Sequence, residues 1–323
     1  MASVNRSLDL NQDLDVNLNL SEFCKNIMKD VAQRTDNKSM QEVENIYEQR
    51  CLKILKNIDK TNIHNLPEPQ KCQYLQTIAQ FVLELTYIDE CKLVEEEFPP
   101  EDPTTFSRVM FIIDTLSRVD NLAQLLLPNK SILESLGPDI LECLHWRKGA
   151  LFYMYCHTLN AKQEPSGFPD HYQKCLENGV EHLKSLLCTR NKPQWLRMVD
   201  GQVCDREYEE DDHTFLLTEG LYSDIHLLAL MYCGELCYWL IQHSIRPEHS
   251  PVTEVVSSDT SSFPTSQGKP ELNVDSRTIN WDVYRQTGQA CLKVYIKSAT
   301  GPLSPGGWST NRAEEIINYL NCH

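Results

Sequence analysis

Two long apolar stretches with charged residues in their middle constrain this chain more than any other feature. The first runs over 140–157. It sets Ile140, Leu141, Cys143, Leu144, Trp146, Ala150, Leu151, Phe152, Tyr153, Met154, Tyr155 and Cys156 around Glu142, His145, Arg147 and Lys148. The second, over 220–239, places Leu227, Leu228, Leu230, Leu236 and Trp239 around Asp224, His226 and Glu235. A helix that faces water on one side alternates apolar and polar stripes, and neither stretch does so cleanly. Both therefore belong at the centre of a helical core. Each ionisable group carried inside must find a partner there, because an unpaired buried charge is costly. For Glu235 the nearest candidates in the other central helix are Arg147 and Lys148.

The rest of the chain reads as helices between helix breakers. Ser21 caps a helix to about 34. Ser39 and Glu42 form a capping box for another, with Val43, Ile46, Tyr47, Cys51, Ile54, Leu55 and Ile58 on one face. A long helix over about 70–97 stops at Pro99 and Pro100. Helices follow near 104–126, 131–159 (broken at Gly137-Pro138), 170–188, 214–243, 281–298 and 309–321. The stretch 191–212 is mostly polar, and its acidic run includes Glu207, Glu209, Glu210, Asp211 and Asp212. Residues 1–20 read as a disordered extension and 246–277 as a flexible insert rich in Pro, Ser and Thr. The pattern predicts an all-α chain: a single helical domain over 21–323, built of antiparallel helix pairs in an array or bundle. Trp146, Ala150 and Tyr153 match one tetratricopeptide-repeat (TPR) helix, but no second copy appears about 34 residues away.

Composition narrows function mainly by exclusion. Thirty basic against 46 acidic side chains give a net charge of −16, which repels nucleic acid and anionic membrane and suits solubility first, or a basic partner surface. Thirteen cysteines lie scattered without disulfide spacing, several inside apolar runs, as in a reducing, cytosolic or nuclear compartment. The first 20 residues lack the apolar core of a signal peptide, and no stretch has the ~18 uninterrupted apolar residues of a bilayer span. Phosphate-binding loops, Gly-x-Ser-x-Gly and His-Glu-x-x-His are absent from the sequence. His226, Cys233 and Cys237 share a helical face with metal-capable chemistry, yet no second ligand pair accompanies them, and core packing explains them as well. Glu142 and His145 sit within reach of each other as a buried polar pair, whereas Asp224 and His226 point apart. Trp308, after a Gly-Pro-rich turn, is either an exposed partner anchor or a staple for the last helix.

Two strings carry a resemblance: Trp146-Arg147-Lys148-Gly149-Ala150-Leu151 and Ser223-Asp224-Ile225-His226-Leu227-Leu228-Ala229. With the segments 85–102, 140–159, 220–239 and 301–320, the chain resembles the Rab-interacting accessory subunit of the Mon–Ccz guanine-nucleotide-exchange complex. The resemblance implies a non-enzymatic adaptor without cofactor, bound to the Mon–Ccz heterodimer and a late-endosomal Rab GTPase, Rab seven. It implies a cytoplasmic protein recruited by partners to late endosomes or damaged mitochondria, serving endosomal, autophagic and mitophagic traffic without membrane insertion. Trp146, Arg147, Lys148, Asp224 and Trp308 are the candidate partner-binding residues, and no catalytic or metal residue is carried over. Two other readings stay open on the residues alone. One is a TPR-like scaffold for short peptides; the other is a metal-dependent helical enzyme.

Overall fold

The computed structural model describes residues 65–99, 101–162, 168–202, 212–244 and 280–322. The expected N-terminal extension, the helices over 21–34 and 42–58, and the insert 246–277 lie outside them. Among the described residues there are ten α-helices and no strand. The helices are α1 (Glu68–Glu95), α2 (Thr105–Leu126), α3 (Ile132–Leu136), α4 (Pro138–Ala161) and α5 (Tyr172–Cys188). After them come α6 (Gln194–Val199), α7 (Asp212–Thr218), α8 (Asp224–Ser244), α9 (Trp281–Thr300) and α10 (Asn311–Cys322).

These helices gather into two compact units. The first runs to Phe168 and adds Glu181–Asn191, the last part of α5; the second takes Pro169–Val180 and everything from Lys192 onward.

In the first unit, Arg108 at the start of α2 meets Glu96 just beyond α1, and Lys130 beyond α2 meets Glu68 at the start of α1. The two helices are therefore antiparallel. α4 runs antiparallel to α2, since Lys148 reaches Asp120 while the Tyr155 ring lies 5.8 Å from that of Phe106. It lies parallel to α1, where Gln76 donates to the Leu136 carbonyl and Arg147 to that of Leu83. Gly137, at φ 80°, breaks α3 from α4 as the Gly-Pro pair predicts, with Pro138 opening the new helix. Ser131 and Glu134 form a capping box at the start of α3. The tail of α5 then packs antiparallel on α4, with Arg190 on Asp139 and Glu142 and Leu183 against Gly149. Leu75, Ile78, Val82, Ile112, Leu116, Val119, Leu144 and Phe152 fill this core.

The second unit repeats the arrangement with α8, α9 and α10. Gly234 faces Leu292 and Gly288 faces Cys237, so α8 and α9 run in opposite directions. Gln289 donates to the Leu320 carbonyl and Tyr295 to that of Ser309, which sets α10 antiparallel to α9. Arg312 on Glu235 and Tyr319 on Tyr238 place α10 parallel to α8. α8 is long and apolar enough to cross a bilayer, but 67% of its apolar 18-residue stretch is buried within the fold, as a core helix should be.

Three sequence expectations change. The helix expected over 214–243 is two, because Gly220 at φ 76° ends α7 and Ser223 starts α8. The polar stretch 191–212 contains α6, held by buried Trp195 and Leu196. Glu235 pairs with Arg312 and not with Arg147 or Lys148, which have partners of their own.

The α8–α9 contact is close enough to require glycine. A Cβ built on Gly234 would sit 2.4 Å from Leu292 Cγ, well inside van der Waals contact. Gly234→Ala is expected to lower stability by about 1–3 kcal/mol in urea unfolding, as overpacked sites do. Adding Leu292→Ala should recover part of that loss, since the two side chains compete for one space.

Candidate functional site

The residues that could carry chemistry lie on the two central helices, and the fold decides what each can do. On α4, Arg147 is only 6% exposed and Lys148 1%. Arg147 Nε donates to Glu90 Oε2 at 2.6 Å; Nη2 meets the same carboxylate and Nη1 donates to the Leu83 carbonyl. Its guanidinium also lies 5.8 Å from the Tyr87 ring centre. Burial lifts the Glu90 carboxyl above its ordinary range against the pull of Arg147. Lys148 Nζ donates to Asp120 Oδ2 at 2.8 Å. Both cations thus tie α4 to α1 and α2.

Beside them, His145 and His182 meet with ring centres 5.8 Å apart and planes tilted by 36°, and His182 stacks on Phe152. Glu142 turns away from His145 to accept from Arg190 at 2.7 Å, so the buried pair expected from sequence does not form. Burial, then the nearby Lys148 charge, holds His145 down at about 4. The same two causes in the same order, with His145 third, bring His182 down to about 3. The fold thus stores two neutral imidazoles against a buried ammonium.

On α8, Asp224 is exposed in the first turn, where its charge complements the helix dipole. His226 is buried and shares a 2.9 Å hydrogen bond with Ser223 through Nδ1. Cys233 and Cys237 are wholly buried. Among the described residues, no group of three or more His, Cys, Asp or Glu is placed to hold a metal. Glu235, 6% exposed, accepts from Arg312 Nε at 2.9 Å. Trp146 and Trp308 are half-buried. Trp308 lies against Gly306, where an added Cβ would be 2.6 Å from the indole nitrogen.

Of the five residues singled out from sequence, Trp146, Arg147 and Lys148 are adjacent on α4 in the first unit, and Asp224 and Trp308 belong to the second.

Sequence reasoning missed a groove of about 390 Å³ in the first unit, between the end of α1 and the start of α2. Asp89, Lys92, Thr104, Ser107 and Arg108 edge it, with Leu93, Phe111 and Ile112 as its apolar floor. One local signal lay in the sequence. α1 ends without glycine, so Glu97 and Phe98 take φ of 56° and 46°. The amide of Phe98 donates to the Leu93 carbonyl and that of Glu97 to Val94, closing the helix as a Schellman motif. Left-handed backbone costs roughly 1–2 kcal/mol per non-glycine residue, and burial of Phe98 (1% exposed) beside Leu93 offsets it.

Fold and site together define an all-helical protein whose core charges pair with one another. A family model described as RAB7A-interacting MON1-CCZ1 complex subunit 1 matches residues 46–321, and the chain belongs to that family. A zebrafish (Danio rerio) relative of this name is 34% identical over 275 residues, covering 85% of this chain and 88% of the relative. A mouse (Mus musculus) relative is 34% identical over 247 residues, 76% of this chain and 77% of its own length. The human (Homo sapiens) one is 33% identical over 251 residues, with the same two shares. No solved structure matches the chain.

Two outcomes follow from the buried groups. Asp120→Ala strands the Lys148 ammonium and is expected to cost about 3–5 kcal/mol in urea unfolding. Lys148→Met, which leaves the partly exposed Asp120 to water, should cost less. For the histidines, the folded values of about 4 and about 3 lie below the unfolded ~6.5. Their contribution is therefore full above pH ~6.5 and is lost as pH falls through about 4 and then 3. The urea midpoint should drop between pH 7.5 and 5, and His182→Phe should lessen that drop.

Proposed function

We propose that this chain is a non-enzymatic accessory subunit that binds a MON1–CCZ1 exchange complex and its RAB7A-type GTPase. The observation that carries this reading is the family match over 46–321, with relatives named for both partners along most of their length. The pairing of the core's charges supports it: Arg147, Lys148 and Glu235 are engaged in holding helices together. An acidic surface suits such a role, because a net charge of −16 speeds encounter with basic patches and favours correct orientation.

Partner recruitment would place the protein on late endosomes, and on damaged mitochondria during their clearance by autophagy. Of the residues singled out from sequence, exposed Asp224 and half-buried Trp146 and Trp308 are those a partner reaches most directly. Arg147 and Lys148 act through the shape of the first unit.

Gel filtration of the purified chain with a MON1–CCZ1 heterodimer, with and without RAB7A, tests the reading. Co-elution at fixed stoichiometry is expected, and Asp224→Arg should weaken it without changing the melting temperature by more than the few degrees a lost helix-dipole contact allows. Separate elution of demonstrably folded protein under every combination would refute the role.

A further inference from the structure

The apolar helix that the sequence predicts ahead of α1 needs a surface to cover it, and the first unit offers one. Capped at Ser39, that helix runs to about Ile58, with Val43, Tyr47, Cys51, Ile54 and Ile58 along the middle of one face. A helix of this length holds in water chiefly by packing such a face. The segment lies outside the described residues, and α1 begins shortly after it, at Glu68. The family match opens inside the segment, at residue 46, which makes it part of the shared chain and not an appended tail.

The surface is a seam along α1 and α2. Lys92 of α1 and Phe111 of α2 line one groove, which marks one side of the helix pair. Ile88, Phe81 and Tyr74 precede Lys92 at spacings that return to the same helix face, and Arg118 and Leu125 follow Phe111 in the same way. The two helices are antiparallel, so Ile88 stands level with Phe111, Phe81 with Arg118 and Tyr74 with Leu125. Phe81 is buried, whereas Tyr74, Ile88, Phe111 and Arg118 are half-buried and Leu125 is 44% exposed. The opposite edge of α1 is the one that α3 and α4 meet: Gln76 donates there to the Leu136 carbonyl, and Glu90 accepts from Arg147.

Length and charge select the occupant. A helix over 40–58 is about 28 Å long. Folded back along α1 from Glu68 through the connection 59–67, it ends level with Ile88, at the end of the seam. The other exposed apolar side chains of α1, Tyr87 (60%) and Val94 (47%), lie at and beyond that reach, and Tyr87 sits on the edge where Arg147 meets it. In the antiparallel register Ile54 falls beside Tyr74 and Leu125, and Val43 beside Ile88 and Phe111. Glu44, on the flank of the apolar face, comes level with Arg118, so opposite charges meet at the rim.

We propose that the segment 39–58 docks as a helix on this seam, antiparallel to α1, and completes the first unit. The occupant of the seam is then the chain itself, and partners meet the first unit on other faces. This holds whether or not the chain joins the exchange complex.

Photo-cross-linking of the full chain at low concentration tests the docking, with p-benzoylphenylalanine placed singly at Val43, Ile54 or Gln49. Position 43 is expected to link to peptides containing Ile88 or Phe111, and position 54 to peptides containing Tyr74 or Leu125. Position 49, on the opposite face of the segment, should give at least tenfold less product. Arg118→Glu should lower the yield from position 43 at least threefold, and adding Glu44→Arg should restore it. Circular dichroism and urea unfolding confirm that each variant is folded. Links in the reverse order would make the helix parallel to α1 and overturn the proposal. So would links only to the second unit, equal yield from position 49, or no link from folded protein. Links only between copies would do the same and make a second chain the occupant.

Discussion

Everything in the first unit depends on how α4 buries two adjacent cations. Arg147 and Lys148 follow each other on a helix, so their side chains leave it about 100° apart and cannot share one partner. Glu90 on α1 takes the first and Asp120 on α2 the second, and this fixes the rotation of α4 against both. A purely apolar α4 could slide or turn between them at small cost, whereas a buried charge has to meet its acceptor. Arg147 adds the Leu83 carbonyl to its contacts, which fixes its height along α1 as well. The second unit uses the same device once, with Glu235 of α8 held by Arg312 of α10.

The same constraint separates fold from function. Residues that look reactive in the sequence, a row of histidines, cysteines and acids on apolar helices, are engaged in packing. His145 and His182 are kept neutral by burial and by Lys148, Cys233 and Cys237 are wholly enclosed, and Glu142 is held by Arg190. At the surface are the acidic end of α1, the groove beside it and Asp224 at the head of α8, with Trp146 and Trp308 half-buried.

Much of the fold was legible because helix periodicity and its punctuation are local. The break at Gly137-Pro138, the stop before Pro99 and the extents of α2, α9 and α10 all follow from residues within a turn of each boundary. α6 was missed because six residues give too little periodicity, and only the burial of Trp195 and Leu196 makes it a helix. Gly220 was read through because its neighbours continue the apolar pattern, while its positive φ is set by how the chain turns into α8. The partner of Glu235 was misassigned for a different reason. Periodicity says which face of α8 is buried, but not which helix lies opposite, and α10 is some 77 residues away. The groove was illegible in the same way, since its walls meet only when α1 and α2 pack. Family membership rested on short strings such as Trp146–Leu151, whose buried charges now have a structural reason.

The central claim is that the charged heart of α4 serves packing and not partner contact. Replacing Lys148 and Asp120 together by Met and Leu tests it most directly, because the pair is removed without stranding either charge. The account predicts a double variant that folds, with urea stability near that of the parent, and that still co-elutes with MON1–CCZ1 and RAB7A. A stable, folded double variant that no longer joins the complex would contradict it and place Lys148 in the interface.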